Sequence, residues 1–271
     1  MQLSAHRQLD AVQRRLTSPS RRLALLAPSN AYIPNVFHDI RGDCDEHRYL
    51  FSQMQRFRGQ VYLKDGAIKQ DDLIDGRHVV EADDYSWHLL VHDESGGIAG
   101  CIRYQAHDTR SLFLRLSVFS TAIAACPRWG PALKQAVHSE VTRAKDLNLS
   151  FVEVGGWALA EHVRGTSEAL RLGLAAYSLG QLMGGAVGMS TATRRHCSSS
   201  ILRRMGGEAL EHAGTPIPAY YDPQYECEME ILRFHSWRPN PRYSIWVEEI
   251  REALRHIPVI GGEAWVLAAT G

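Results

Sequence analysis

A single α+β unit is predicted by three features of the 271-residue chain. Trp87 to His92 and Ile98 to Tyr104 read as strands, and Asp93-Glu94-Ser95-Gly96-Gly97 between them supplies the turn chemistry of a β-hairpin. Pro131 to Leu147 carries Leu133, Ala136, Val137, Val141 and Ala144 on one helical face. From Phe151 to Gly207 strand and helix patterns alternate. No repeat or low-complexity linker divides the chain.

In order along the chain, residues 3–27 have mixed periodicity ending in Leu-Ala-Leu-Leu-Ala and predict one or two supporting helices, followed by a loop from Pro28 to Pro34. Asp45 to Arg58 has an acidic start and Tyr49, Leu50, Met54 and Phe57 at helical spacing. The hairpin and the Pro131 helix follow, with Leu112 to Val118 extending the sheet or lining a loop. Phe151 to Leu159 is then an apolar strand that runs into a turn at Arg164 to Ser167. A long helix, a strand from Ala186 to Ala192 and a helix closing at Gly206-Gly207 complete the stretch. Pro216 to Pro223 reads as an irregular loop, Tyr225 to Phe234 as a strand, and Tyr243 to His256 as an amphipathic helix. This divides the unit into a helical extension over 1–55, a core over 56–235, and a C-terminal helix and tail over 236–271.

Composition narrows the function classes. Thirty basic and 30 acidic residues cancel, which argues against a nucleic-acid partner. The five cysteines are scattered with no C-x-x-C pair, so no disulfide framework is signalled and a reducing cytoplasm is expected. The 13 histidines show no metal-binding spacing, and no metal is expected. Leu23 to Ala27 is too short for a signal core, and Leu170 to Met189 is interrupted by Arg171 and Gln181, so no transmembrane segment is expected.

The turn after the Phe151 strand is where chemistry first shows. A strand that ends at a helix N-terminus presents free backbone N–H groups to an anion. Small residues at Gly165, Thr166 and Ser167 let a phosphate approach the main chain. An ordinary polar βα junction has the same look.

The order hairpin, helix, strand, glycine-bearing turn, helix, strand, helix, strand resembles the GNAT (acyl-CoA N-acyltransferase) fold, a mixed central sheet flanked by helices. Arg164-Gly165-Thr166-Ser167-Glu168-Ala169 stands where that family has an Arg/Gln-x-x-Gly-x-Gly/Ala turn, with Ser167 replacing the second glycine. Upstream, Arg58-x-x-x-Tyr62, Glu81-x-Asp83-x-Tyr85, Gly100-x-x-Arg103 and Glu153 are similar to motifs of the acyl-homoserine lactone synthases and the N-acyl amino acid synthases. Ser86 and Gly156 replace an Asp and an Arg of the lactone-synthase pattern, and Ile68 stands where a Trp is expected. Those departures, the Leu112 to Asn148 insertion and the segment Asp222-Pro-x-Tyr225-x-Cys227-x-Met229-Glu230 look closer to the N-acyl amino acid synthases.

The resemblance implies transfer of a fatty acyl group from acyl carrier protein or acyl-CoA to an amine, with no permanently bound cofactor. The acyl-phosphopantetheine donor would rest on Arg164, Gly165, Thr166, Ser167, Glu168 and Ala169. Backbone groups at Gly155, Gly156, Trp157 and Ala158 would form the oxyanion site, since paired glycines in a strand mark a bulge. Glu153 is the first choice of general base, its pKa needing to be raised by burial; Glu81 is the second and His78 the third. Glu153 could instead pair with Arg103. Glu81 and Asp83, at spacing two on an extended segment, share one side. With Arg58 and Arg103 they would bind the acceptor or form a structural ion network. A basic patch of Arg194, Arg195, Arg203 and Arg204 would dock acyl carrier protein. The acceptor is expected to be an amino acid, with a precursor-peptide side chain or a non-catalytic acyl-binding role as alternatives.

Overall fold

The computed structural model describes residues 22–29, 31–109 and 116–262. Its centre is one mixed sheet. Strands β1 (Arg22–Leu26), β2 (Asp39–Gly42), β3 (Trp87–His92), β4 (Ile98–His107), β5 (Ser150–Leu159), β6 (Ala186–Thr193), β10 (Tyr220–Asp222), β11 (Cys227–His235) and β12 (Pro258–Gly261) lie in the order β10-β11-β6-β5-β4-β3-β1-β12-β2. The short strand β7 (Glu208–Ala209) also pairs with β11, and β8 (Glu211–His212) with β9 (Thr215–Pro216) forms a separate ribbon.

Each helix can be traced to its residues. Helix α1 (Cys44–Lys64) is capped by Asp43, whose carboxylate accepts from the N–H groups of Asp45 and Glu46 at 3.0 and 2.9 Å. Helix α2 (Gly130–Asp146) opens with Pro131 in its first turn. Helix α3 (Glu168–Leu182) is apolar nearly all round and is buried along its length. Helices α4 (Ser198–Met205) and α5 (Ser244–Leu254) complete the set among the described residues.

Alternation along the strands sorts the helices onto two faces. Leu89, Ile102, Val152 and Val154 point to the face covered by α3 and α5. Cys101 and Ala158 pack toward α1, while Phe151, Val187 and Ile231 pack toward α2, on the opposite face.

The chain ends depart from the sequence reading. Leu23 to Leu26 form a strand, not a helix. It pairs antiparallel with β3 and parallel with β12, and is buried on both faces. A strand covered on both sides is apolar at every position, so it shows no alternation to tell it from a buried helix. The tail likewise returns as β12, seated between β1 and β2. Pro216 to Pro223, expected to be irregular, contributes Tyr220–Asp222 to the sheet edge. Residues 1–21 and 110–115 lie outside the described set, so the helices expected before Arg22 and the strand or loop expected at 112–115 do too. No helix among the described residues is long and apolar enough to cross a membrane.

Candidate functional site

Two irregularities in the sheet make an opening. Between β4 and β5, Cys101 faces Ala158 while Arg103 faces Gly155, so β5 carries one extra residue and bulges at Gly156-Trp157. Gly156 sits at φ +60° there, a conformation that suits glycine. Between β5 and β6 the parallel pairing stops at Glu153 and Met189, although both strands continue. Past that point the two wings separate. Gly155, Gly156, Trp157 and Ala158, named from sequence for backbone chemistry, line the near wing of the split.

On the α1 face, at the bulge, lies a buried charge cluster. Arg58, about 1 % exposed, gives two hydrogen bonds to Asp83, Nη1 to Oδ1 at 2.8 Å and Nη2 to Oδ2 at 2.5 Å. Gln55 Nε2 adds a third at 3.2 Å. Burial pushes the Asp83 carboxyl up, but the bonds from Arg58 outweigh it and bring the pKa down to about 2. Arg58 Nε donates to His78 Nδ1 at 3.2 Å, which fixes the histidine proton on Nε2. Burial and the Arg58 charge push the His78 pKa down to about 4. His88 is also neutral, its pKa about 4 through burial, and it meets the Asp83 carbonyl at 2.9 Å.

Arg103 is the group left over. Asp83, already bonded by Arg58 and Gln55, accepts from Arg103 Nη1 only at a longer 3.5 Å. The Arg103 side chain is buried, and its Nε has no partner. A Cβ built on Gly155 would lie 3.5 Å from Arg103 Nη2, so the guanidinium lies against the bulge. The buried Trp157 Nε1 is also unpartnered. With both histidines neutral, Arg58, Arg103 and Asp83 leave one positive charge in surplus, and burying a charge without its partner is costly. Tyr62, whose phenol burial keeps protonated, completes the near wall and donates to the Trp157 carbonyl at 3.4 Å.

The two carboxylates favoured as bases are placed otherwise than expected. Glu153 accepts from Ser117 N at 3.0 Å, Ser117 Oγ at 2.7 Å and Val118 N at 3.2 Å, and lies 3.0 Å from His107 Nε2. Burial works to raise its pKa, yet the bonds from His107 and Ser117 win and hold it below the ordinary value. That is opposite to what a base needs. The alternative Glu153–Arg103 pair does not form, because Arg103 registers against Gly155 and Glu153 against Gln105. Glu81 to Asp83 is a 3₁₀ turn, not an extended run, so the two carboxylates diverge: Asp83 is buried and Glu81 is exposed.

On the donor side, Gly165 at φ +72° turns the chain into α3. The N–H groups of Gly165, Ser167, Ala169 and Leu170 have no acceptor among the described residues. Thr166 Oγ1, not Ser167, caps the helix by accepting from Glu168 N at 3.2 Å. Arg164 turns to helix α1, its Nη1 and Nη2 bonded to Asp65 at 2.8 and 2.7 Å. Glu168 is buried with its carboxylate 3.7 Å from Arg171. Anion contact at this turn therefore falls to the main chain. Half of the basic patch is paired with carboxylate: Glu230 holds Arg194 at 2.6 Å and Arg203 at 2.9 Å, whereas Arg195 donates to the Glu226 carbonyl and Arg204 is exposed. Two open hollows of about 630 and 550 Å³ lie along α2 and share no residue with the cluster.

Sequence reasoning named Arg58, Asp83 and Arg103 but missed Gln55 and His88, which have no motif spacing and reach Asp83 only through the fold. It noted Asp222 and Tyr225 without assigning them chemistry.

The mixed sheet, the bulged strand, the split beside it and the helix N-terminus below it are those of the GNAT fold. Among solved structures, the CoA-dependent acyl-homoserine lactone synthase BjaI with SAM and isopentyl-CoA superposes with a TM-score of 0.52 at 13% identity, covering 92% of this chain and 99% of that one. BjaI with MTA gives 0.52 at 12% identity over the same shares. FeeM, an N-acyl amino acid synthase from uncultured soil microbes, gives 0.46 at 11% identity, covering 72% and 88%. No protein-family model and no curated protein matches the sequence. At these identities what is shared is the fold.

Proposed function

We propose that the protein is an N-acyltransferase that moves an acyl group from a phosphopantetheine thioester, carried by acyl carrier protein or CoA, to the α-amine of an amino acid. The surplus positive charge on Arg103, buried beside the bulge with an unpartnered Nε, carries this reading. It matches a carboxylate on the acceptor, which a free amino acid has and a lysine side chain within a peptide lacks. The fold shared with a lactone synthase, together with the resemblance of the Arg58, Asp83 and Arg103 motifs to that family, supports the reaction class.

The donor phosphates rest on the free N–H groups of Gly165, Ser167, Ala169 and Leu170 at the start of α3. The pantetheine arm follows the unpaired edge of β5 into the split and brings the thioester carbonyl to the Gly155–Ala158 bulge. Main-chain N–H groups there stabilise the oxyanion. The amine enters from the α1 face with its carboxylate on Arg103. Its neutral nitrogen attacks the carbonyl carbon, the carbon–sulfur bond breaks and the thiol leaves.

Purified protein, supplied with acyl carrier protein or CoA thioesters and an amino-acid pool, is expected to yield N-acyl amino acid masses. The corresponding decarboxylated amines should react at least about 100-fold more slowly in kcat/KM, as losing a charge-assisted bidentate contact implies. Absence of any acyl amide with both donors would overturn the activity, and equal use of the decarboxylated amines would overturn the role of Arg103.

A further inference from the structure

The acyl transfer needs a proton acceptor; of the two carboxylates with motif support, Glu153 is held by Ser117 and Val118 and Glu81 lies exposed on the 3₁₀ turn. A third carboxylate occupies the far wing of the split. Asp222 pairs with Cys227 across β10 and β11, and Tyr220 with Met229, so both point to the face of Ile231. That face also carries Arg103 and α1. The turn that follows is built by Asp222 itself. Its Oδ1 accepts from Gln224 N at 2.9 Å and Tyr225 N at 3.4 Å, and Glu226 closes the turn at φ +46° with its carbonyl held by Arg195.

What the turn leaves free is informative. Asp222 is about 6 % exposed, yet its Oδ2 has no hydrogen-bond partner among the described residues. The Tyr225 hydroxyl is likewise without one. Tyr225, in the turn before β11, belongs to the far wing, while Arg103, Arg58 and Tyr62 belong to the near one. Burial, together with Asp222, keeps the Tyr225 phenol protonated. The other titratable neighbours of Asp222 are Tyr220 and Cys227. The far wing thus brings a carboxyl and a phenol to the face that carries Arg103, with Arg195 as the cation at the same turn, an arrangement that an amino-acid acceptor fits.

We propose that Asp222 is the general base of the acceptor site and that the Tyr225 hydroxyl hydrogen-bonds the acceptor nitrogen. The inference rests on the acyltransferase reading above. Asp222 Oδ2 takes one proton from the acceptor ammonium and releases it to solvent. The neutral nitrogen then forms the bond to the thioester carbon, and its second proton leaves with the sulfur as thiol.

Asp222→Asn separates this role from turn building, because the amide oxygen still accepts from Gln224 and Tyr225 while the charge is gone. With wild type active, Asp222→Asn is expected to lose about 100-fold or more in kcat at pH 7 with an unchanged melting temperature, the usual scale of general-base catalysis. The deficit should shrink as pH rises and solution deprotonates the amine instead. A loss under about threefold, or one of the same size at every pH, overturns the proposal. Should Asp222→Asn not fold, Tyr225→Phe decides: a loss of about tenfold or more in kcat/KM supports the site, and wild-type kinetics overturn it. An inactive wild type instead counts against the acyltransferase reading itself.

Discussion

Among single residues, the chemistry of this chain centres on which charges are satisfied. Arg58 and Asp83 satisfy each other, and His78 and His88 are held neutral beside them. This group makes stability pH-dependent with a definite sign. All three shifted pKa values lie below their ordinary ones, so the unfolded chain binds more protons than the folded chain in acid. Stability should therefore be full above about pH 6.5. It should fall as the histidines of the unfolded chain protonate between about pH 6.5 and 4, and fall further toward pH 2 as Asp83 is lost. His88→Gln, which keeps a donor for the Asp83 carbonyl, should flatten the melting temperature between pH 6.5 and 4 by about one proton's worth of slope; an unchanged slope would contradict the buried neutral histidine. The sequence exposed Arg58, Asp83 and Arg103 because their spacing matches known motifs. It misjudged Glu81 because period-two reasoning assumes a strand, and a 3₁₀ turn sends alternate side chains elsewhere. It misjudged Glu153 because burial was visible and the Ser117 and Val118 N–H groups, 36 and 35 residues away, were not.

For the elements, the bulge in β5 decides whether there is a site. Gly155-Gly156 was readable as a bulge, since paired glycines seldom sit in a regular strand. The end of β5–β6 pairing after Glu153 had no sequence signal, because both strands run on past it, to Leu159 and Thr193. A Cβ at Gly156 would meet Arg103 Cβ at 3.2 Å and Arg58 Nη1 at 3.3 Å while the backbone stays at φ +60°. Gly156→Ala is accordingly expected to cost about 1–3 kcal/mol of stability from strain and, if the bulge forms the proposed oxyanion site, to lower kcat more than it raises KM. Denaturant titration and steady-state kinetics check both parts. A variant with wild-type kcat would mean that the bulge only shapes the sheet.

Across the whole molecule, the site depends on a sheet assembled from both ends of the described chain. The hairpin, α1, α2 and the β5–α3–β6 series follow patterns of period two or 3.6 and were legible. The end strands were not, because a short apolar run covered on both faces has no period, and its partner β12 lies more than 200 residues away in sequence. Strand β12 places Val259 beside Leu25 and Ile260 beside Leu26, and Ile260 packs with Met54 of α1, the helix that also carries Arg58. A tail that merely trailed over the surface would tolerate truncation of its side chains. An interior strand would not: Ile260→Ala, at about 1 % exposure, should cost about 2–5 kcal/mol by cavity formation. Ile245→Ala, 69 % exposed on α5, should stay within about 0.5 kcal/mol. Because β12 holds β1 against α1, the Ile260 variant should also loosen the packing around Arg58 and raise KM for the proposed amino-acid acceptor before the protein unfolds. Equal denaturation midpoints for the two variants would show that the C-terminal strand does not hold the sheet together.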